Sequence, residues 1–169
     1  MLILDQRDMG NKIYQQGKIY MCESTEDDIE RIYPFMRAID KTECRCMGFT
    51  PKEALEVALG ADTVTYTVFD PYDVPFCMFG TGSINYDGDG YIWMLATDSL
   101  FDNKYDFIRG SRFVVNTLVE SYNRAKNFVH KDNKAAIAWL KWCGAEIGDD
   151  HQFSDHPFYE FTITKKEKE

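Results

Sequence analysis

Apolar residues recur along the chain at two periods, one near two and one near 3.6, and the switches between them mark the predicted elements. Residues 1–16 are polar beyond Leu4 and read as an N-terminal arm. Residues 17–21 (GKIYM) are β-branched and aromatic, as in a first strand. Ser24 or Thr25 then offers a helix cap, and Glu26, Asp27 and Asp28 set negative charge on the positive end of that helix. Ile29, Ile32, Tyr33 and Phe35 or Met36 follow at helical spacing, and Pro34 kinks or breaks the run. Thr50-Pro51-Lys52-Glu53 combines a cap, a first-turn proline and a glutamate that reaches back, so a second helix starts there. Its inward stripe is Ala54, Leu55, Ala58 and Leu59, and Gly60 stops it.

Three strands come next, at 63–69 (TVTYTVF), 75–84 (PFCMFGTGSI) and 90–97 (GYIWMLAT), separated by the turn residues Asp70–Asp73 and Asp87–Gly90. The third is almost continuously apolar, which predicts a central strand buried on both faces. The glycines of Gly80-Thr81-Gly82-Ser83 predict a bulge in the second. A long helix is expected over 106–126 from Phe107, Val114, Leu118 and Tyr122, with an earlier start near Asn103 or Lys104 as the alternative. A short strand at 127–130, a helix at 133–143 capped by Asn133, and two strands at 145–147 and 158–164 complete the series. This order, β-α-α-β-β-β-α-β-α-β-β, predicts one α/β domain over 17–165, a sheet with helices on both faces, and a charged tail at 166–169.

Composition narrows the function. The 169 residues are 44% hydrophobic, enough for a real core. Nineteen basic against 28 acidic residues give a net charge of −9, which disfavours bulk binding to phosphate backbones. No apolar run is long enough to span a bilayer, and the start MLILDQRDMG lacks the basic region of a secretory signal. Five cysteines, an odd number, point to reduced thiols in a cytosolic compartment.

Several clusters read more simply as structure than as chemistry. Cys44-Arg45-Cys46 lacks a second ligand pair for zinc. Cys143, His151 and His156 match no familiar metal spacing, and Asp87-Gly88-Asp89-Gly90 lacks the later carboxylates of a calcium loop. No metal site is expected. Of the tryptophans, Trp142 is a candidate for a contact with a protein partner.

Other residues carry a resemblance. The helix of residues 133–144 places Asn133, Ala136, Trp139 and Gly144 in the register of the Asn-x-x-Ala helix of GNAT N-acetyltransferases. Residues 127–147 (NFVHKDNKAAIAWLKWCGAEI), the FTITK end at 161–165, and the stretches 91–98 and 107–112 resemble, more narrowly, the GNAT-like internal virion protein A family of short-tailed, autographivirus-type phages. The resemblance covers 62–165; the first sixty residues match only in element order. It implies a single GNAT-like α/β domain around a mixed, mostly antiparallel sheet.

The resemblance also implies acetyl-CoA as the cofactor of an active member. It points to Arg109, Gly110, Ser111, Arg112, Phe113 and Asn133 as cofactor-binding residues and to Asp98, after the third strand, as general base. Two positions depart from the family pattern. Arg112 and Val114 stand where glycines let phosphates approach the backbone, and Leu140 stands where active members often carry a proton-donating tyrosine. The expected function is therefore a phage accessory or virion-assembly protein that reuses the acetyltransferase fold, without efficient acetyl transfer. Its partner would be a virion or host protein, and its place the host cytoplasm or the virion. The alternatives are an active acetyl-CoA-dependent N-acetyltransferase acting on a host protein or small amine, and a host-takeover or anti-defence inhibitor.

Overall fold

The computed structural model describes residues 12–61 and 64–167. Eight strands form one sheet in the order β1-β2-β3-β4-β5-β6-β8-β7. They are β1 (Lys12–Gln16), β2 (Ile19–Glu23), β3 (Val64–Phe69), β4 (Pro75–Ser83), β5 (Asp89–Ala96), β6 (Arg124–His130), β7 (Glu146–Phe153) and β8 (His156–Thr164). Every neighbouring pair is antiparallel except β5 and β6. The helices are α1 (Glu26–Ile32), α2 (Ala38–Cys46), α3 (Pro51–Gly60), α4 (Lys104–Val119) and α5 (Lys134–Trp142). The α/β sheet architecture expected from the element order is the one observed.

Alternation along the central strands divides the core between two faces. Met78, Trp93 and Leu95 pack with Ile29, Ile32, Cys44 and Leu55 of α1, α2 and α3. Cys77, Phe79 and Met94 pack with Phe107, Val114 and Leu118 of α4. Ile92, Ala125 and Val129 pack with Val115 and Val119 of α4 and Leu140 of α5.

Five sequence expectations are corrected. Lys12–Gln16 is not part of a loose arm but an edge strand, hairpinned to β2 through Gly17 in the left-handed region (φ 57°). Its only buried residue is Tyr14, so the alternation that marks a strand is hidden among polar neighbours; residues 1–11 of the expected arm lie outside the described residues. The segment around Cys44-Arg45-Cys46 belongs to a further helix, α2, which is polar in sequence yet buries Asp40, Cys44 and Cys46. The long helix begins at Lys104 and ends at Val119, because Arg124–Lys126 leave it to pair with β5. The glycines of β4 mark no bulge there. The irregularity of β4 falls at Val68/Phe69 opposite Pro75–Cys77, whereas Gly80 and Gly82 lie beneath the Trp93 and Tyr91 side chains of β5. The last hairpin is longer than expected: Asp150 and His151 are in β7, which turns into β8 through Ser154 and Asp155, both at positive φ.

Candidate active site

β5 and β6 run side by side for only three residue pairs, Asp89–Tyr91 against Arg124–Lys126. Beyond them β6 stays paired to β8 along its whole length, while β5 continues with β4 to Ala96. The sheet therefore splits between its two central parallel strands. Asp89 accepts from Arg124 Nε at 3.1 Å beside the closed end. Asn127 Nδ2 donates to the Ile92 carbonyl at 2.8 Å at the first rung past it. Above this rung a cavity of about 350 Å³ passes through the split, lined on one face by Phe107, Gly110 and Ser111 of α4 and Trp139 of α5, and on the other by Asp40 and Glu43 of α2.

The edge of β5 inside the split is partly satisfied by α2. The Arg37 N–H donates to the Ala96 carbonyl at 2.8 Å, and the Ala96 N–H donates to Asp40 Oδ2 at 2.9 Å. Ile92 and Ala96 thus point their backbone polar groups away from β4. Backbone direction alternates along a strand, so Met94, midway between them, presents its N–H and C=O to the same side, where Met94 lines the cavity.

Arg37, at the N-cap of α2, and Asp40 and Glu43 within it recur at three-residue spacing, which brings them to one side of the helix. Arg37 forks onto Asp40 with Nε at 3.0 Å and Nη2 at 2.7 Å, and both residues are almost fully buried (5% and 1% exposed). Burial pushes the Asp40 carboxyl up, against the pull of the Arg37 guanidinium and the Ala96 N–H. Glu43 Oε1 accepts from Asn133 Nδ2 at 2.9 Å and from the His130 N–H at 3.1 Å. Burial raises the Glu43 carboxyl to about 7; the two donors oppose the rise and the Asp40 charge adds to it. Among the described residues no hydrogen bond reaches Oε2. A half-buried carboxyl titrating near neutrality beside a cavity is suited to accepting a proton.

The residues singled out in the sequence fall in different places. Gly110, Ser111 and Asn133 line the cavity; Asp98, Arg109, Arg112 and Phe113 do not. Arg109–Phe113 form no loop. They lie inside α4, where backbone N–H groups are held by the helix, so they do not form the glycine loop expected there; the N–H groups ahead of the first helical bond are those of the first turn, Lys104–Asp106. Arg112 is committed to α5: Nε and Nη2 donate to the Trp142 carbonyl at 3.0 and 2.8 Å, and its guanidinium sits 3.8 Å from the centre of the half-exposed Trp142 ring. Ser111 Oγ accepts from Trp139 Nε1 at 2.9 Å. Gly110 gives room to Tyr14 and Gln16 of the N-terminal hairpin, and Phe113 stacks on Tyr14. Asp98 is exposed in a 3-10 turn after β5, on the far side of the Ala96 contacts with α2, which removes it from the place expected of the base. Asn133 caps α5 through the Ala136 N–H as well as holding Glu43.

Sequence reasoning missed Arg37, Asp40 and Glu43. Their spacing was visible, but it acquires meaning only once 38–46 is known to be a helix against the split. All five cysteines are free thiols, and burial raises Cys44 to about 12 and Cys143 to about 11, which removes them as nucleophiles. Among the described residues no group of three or more metal-ligating side chains occurs.

The architecture, an eight-stranded sheet split between central parallel strands with helices on both faces, matches the GNAT acetyltransferase fold. A GNAT-family acetyltransferase from Bacillus anthracis superposes with a TM-score of 0.67, at 10% identity over 90% of this chain and 98% of its own. An aminoglycoside N(6')acetyltransferase from Legionella pneumophila gives 0.63 at 13% identity over 89% and 94%. The ribosomal-protein-S5-alanine acetyltransferase from Vibrio fischeri gives 0.63 at 10% identity over 91% and 97%. No family model and no curated protein matches the sequence. At these identities the likeness establishes the fold.

The residues present fit the acyl end of acetyl-CoA better than its phosphate end. The split offers a passage from the α4/α5 face to α2 with a backbone edge at Met94. The α4 first turn has three N–H groups ahead of the first helical bond, which Phe107 donates to Asn103. However, the Asp106 carboxylate stands in that turn, engaged by the Lys18 N–H at 3.1 Å.

Proposed function

We propose that the protein is an acetyl-CoA-dependent N-acetyltransferase whose proton acceptor is Glu43. The observation that carries this reading is the position of Glu43: a half-buried carboxyl with one oxygen fixed, beside a cavity that joins the two faces of the split. The solved structures it resembles include an aminoglycoside N(6')acetyltransferase and a ribosomal-protein-S5-alanine acetyltransferase, which supports an amine acceptor.

Acetyl-CoA would supply an activated acetyl thioester, held through the split with its phosphates toward Lys104–Asp106. The Met94 N–H points where a carbonyl oxygen that gains charge would be stabilised. An ammonium must lose a proton before it is nucleophilic; Glu43, titrating near 7, accepts that proton at Oε2 while Asn133 and His130 hold Oε1. Leu140 lines the cavity and donates no proton, so protonation of the departing thiolate falls to another group or to water.

The test is release of free thiol from acetyl-CoA in the presence of primary amines. Wild type turns over, and E43Q loses about a hundredfold or more in kcat/KM. Turnover of E43Q at the wild-type rate would transfer the role elsewhere.

A second reading is the phage accessory or virion-assembly role implied by the family resemblance, with a virion or host protein as partner in the host cytoplasm or the particle. Arg112, bound to Trp142, and the Asp106 carboxylate at the α4 start favour it, since both lessen the hold on phosphates. Absence of coenzyme A binding together with copurification with phage particles would establish it. The inhibitor reading has only the acidity of the chain behind it.

A further inference from the structure

Among the described cavity-lining residues three carry carboxylates, Asp40 and Glu43 on α2 and Asp106 on α4. Asp40 takes the Arg37 fork and the Ala96 N–H, and Asp106 takes the Lys18 N–H. Among the described residues Asp106 keeps Oδ1 without a hydrogen bond, but it sits on the α4 side; on the α2 side, Glu43 is the carboxylate that keeps such an oxygen, Oε2. The α2 side of the cavity therefore has a place for one positive charge. A second ammonium brought into it would lose water without gaining a partner.

The rest of the acceptor side is apolar. Met47, which follows α2, Phe49 before α3, and Val57 on α3 are exposed by 36%, 38% and 55%, yet all three line this cavity. Large apolar side chains at the rim of a polar-floored cavity are suited to the apolar body of a ligand. Ala54, Ala58 and Ala61 form the wall beside them, and their short side chains leave room.

Resting on the transferase reading, we infer that the acceptor is a primary monoamine with an apolar or aromatic body. Its ammonium meets Glu43 and its body lies against Met47, Phe49 and Val57. Polyamines and aminoglycosides, with several charges each, do not match this lining.

The experiment is calorimetric titration of the full chain with 2-phenylethylamine and, separately, spermidine, each with and without coenzyme A. The expected result is saturable binding of 2-phenylethylamine about tenfold or more tighter than spermidine, reduced about tenfold in E43Q. Phe49→Ser weakens 2-phenylethylamine and leaves spermidine unchanged; Phe49 is partly exposed, so this variant is expected to fold. Spermidine binding as tightly, or 2-phenylethylamine binding unchanged in both variants, would overturn the inference. Failure of the transferase reading is separate: it shows as no heat from coenzyme A alone, whatever the amines do. Coenzyme A binding without binding of 2-phenylethylamine overturns the acceptor class and leaves that reading standing.

Discussion

Glu43 of α2 and Asn133 at the start of α5 are joined across the split sheet by a 2.9 Å hydrogen bond, 90 residues apart in sequence. Asn133 uses both ends of its amide: the oxygen accepts from the Ala136 N–H to cap α5, and the nitrogen holds Glu43. One side chain thus fixes a helix on one face of the sheet and a carboxylate on the other.

Asn133→Ala removes a cap and a donor to a half-buried carboxylate together. The expected cost is about 2–3 kcal/mol of stability, read by chemical denaturation. Because the lost bond favours the ionised form, the Glu43 pKa should rise further above 7, measurable by carbon-detected NMR. A stability loss with no change in that titration would separate Asn133 from Glu43.

The raised Glu43 pKa has a signed effect on stability. The carboxyl titrates near 7 when folded, against 4.5 for the unperturbed group, so between these values the folded chain binds more protons than the unfolded one. Stability contributed by this group therefore falls as pH rises from 4.5 through about 7, by about 3 kcal/mol at most. E43Q escapes this loss. Its Tm relative to wild type should increase between about pH 5 and about pH 8. A difference that stays constant over this range contradicts the assignment.

Much of the fold was legible because apolar periodicity, caps and turns act locally. Thr50-Pro51-Lys52-Glu53 forms the capping box its sequence promises, and Asn133 caps α5. The edges were not legible. β1 buries Tyr14 alone, and α2 carries a polar stripe because Arg37, Asp40 and Glu43 face a cavity rather than a packed core. The site shows the same division. Gly110, Ser111 and Asn133, which the family register points to, line the cavity, whereas Asp98, which its position after a strand points to, does not, because α2 covers that end through Arg37 and Asp40. Arg112 was read as a cation near phosphates, and it is a brace between α4 and α5.

That brace is testable. Arg112→Ala removes two hydrogen bonds to the Trp142 carbonyl and a cation–π contact, and is expected to cost about 1 kcal/mol of stability. Coenzyme A affinity should change by less than about twofold, because the guanidinium is held away from the α4 start. Lost affinity with unaltered stability would return Arg112 to the phosphate site.

The central claim is that the split between β5 and β6 receives an acyl-CoA. Calorimetric titration of the purified protein with acetyl-CoA tests it most directly, on wild type and on Ala136→Trp, which places an indole at the cavity wall on α5. The account predicts saturable binding to wild type in the micromolar range, roughly −8 kcal/mol, lost in the plugged variant while its fold is retained. No heat from wild type at millimolar acetyl-CoA, or undiminished binding to Ala136→Trp, would contradict it.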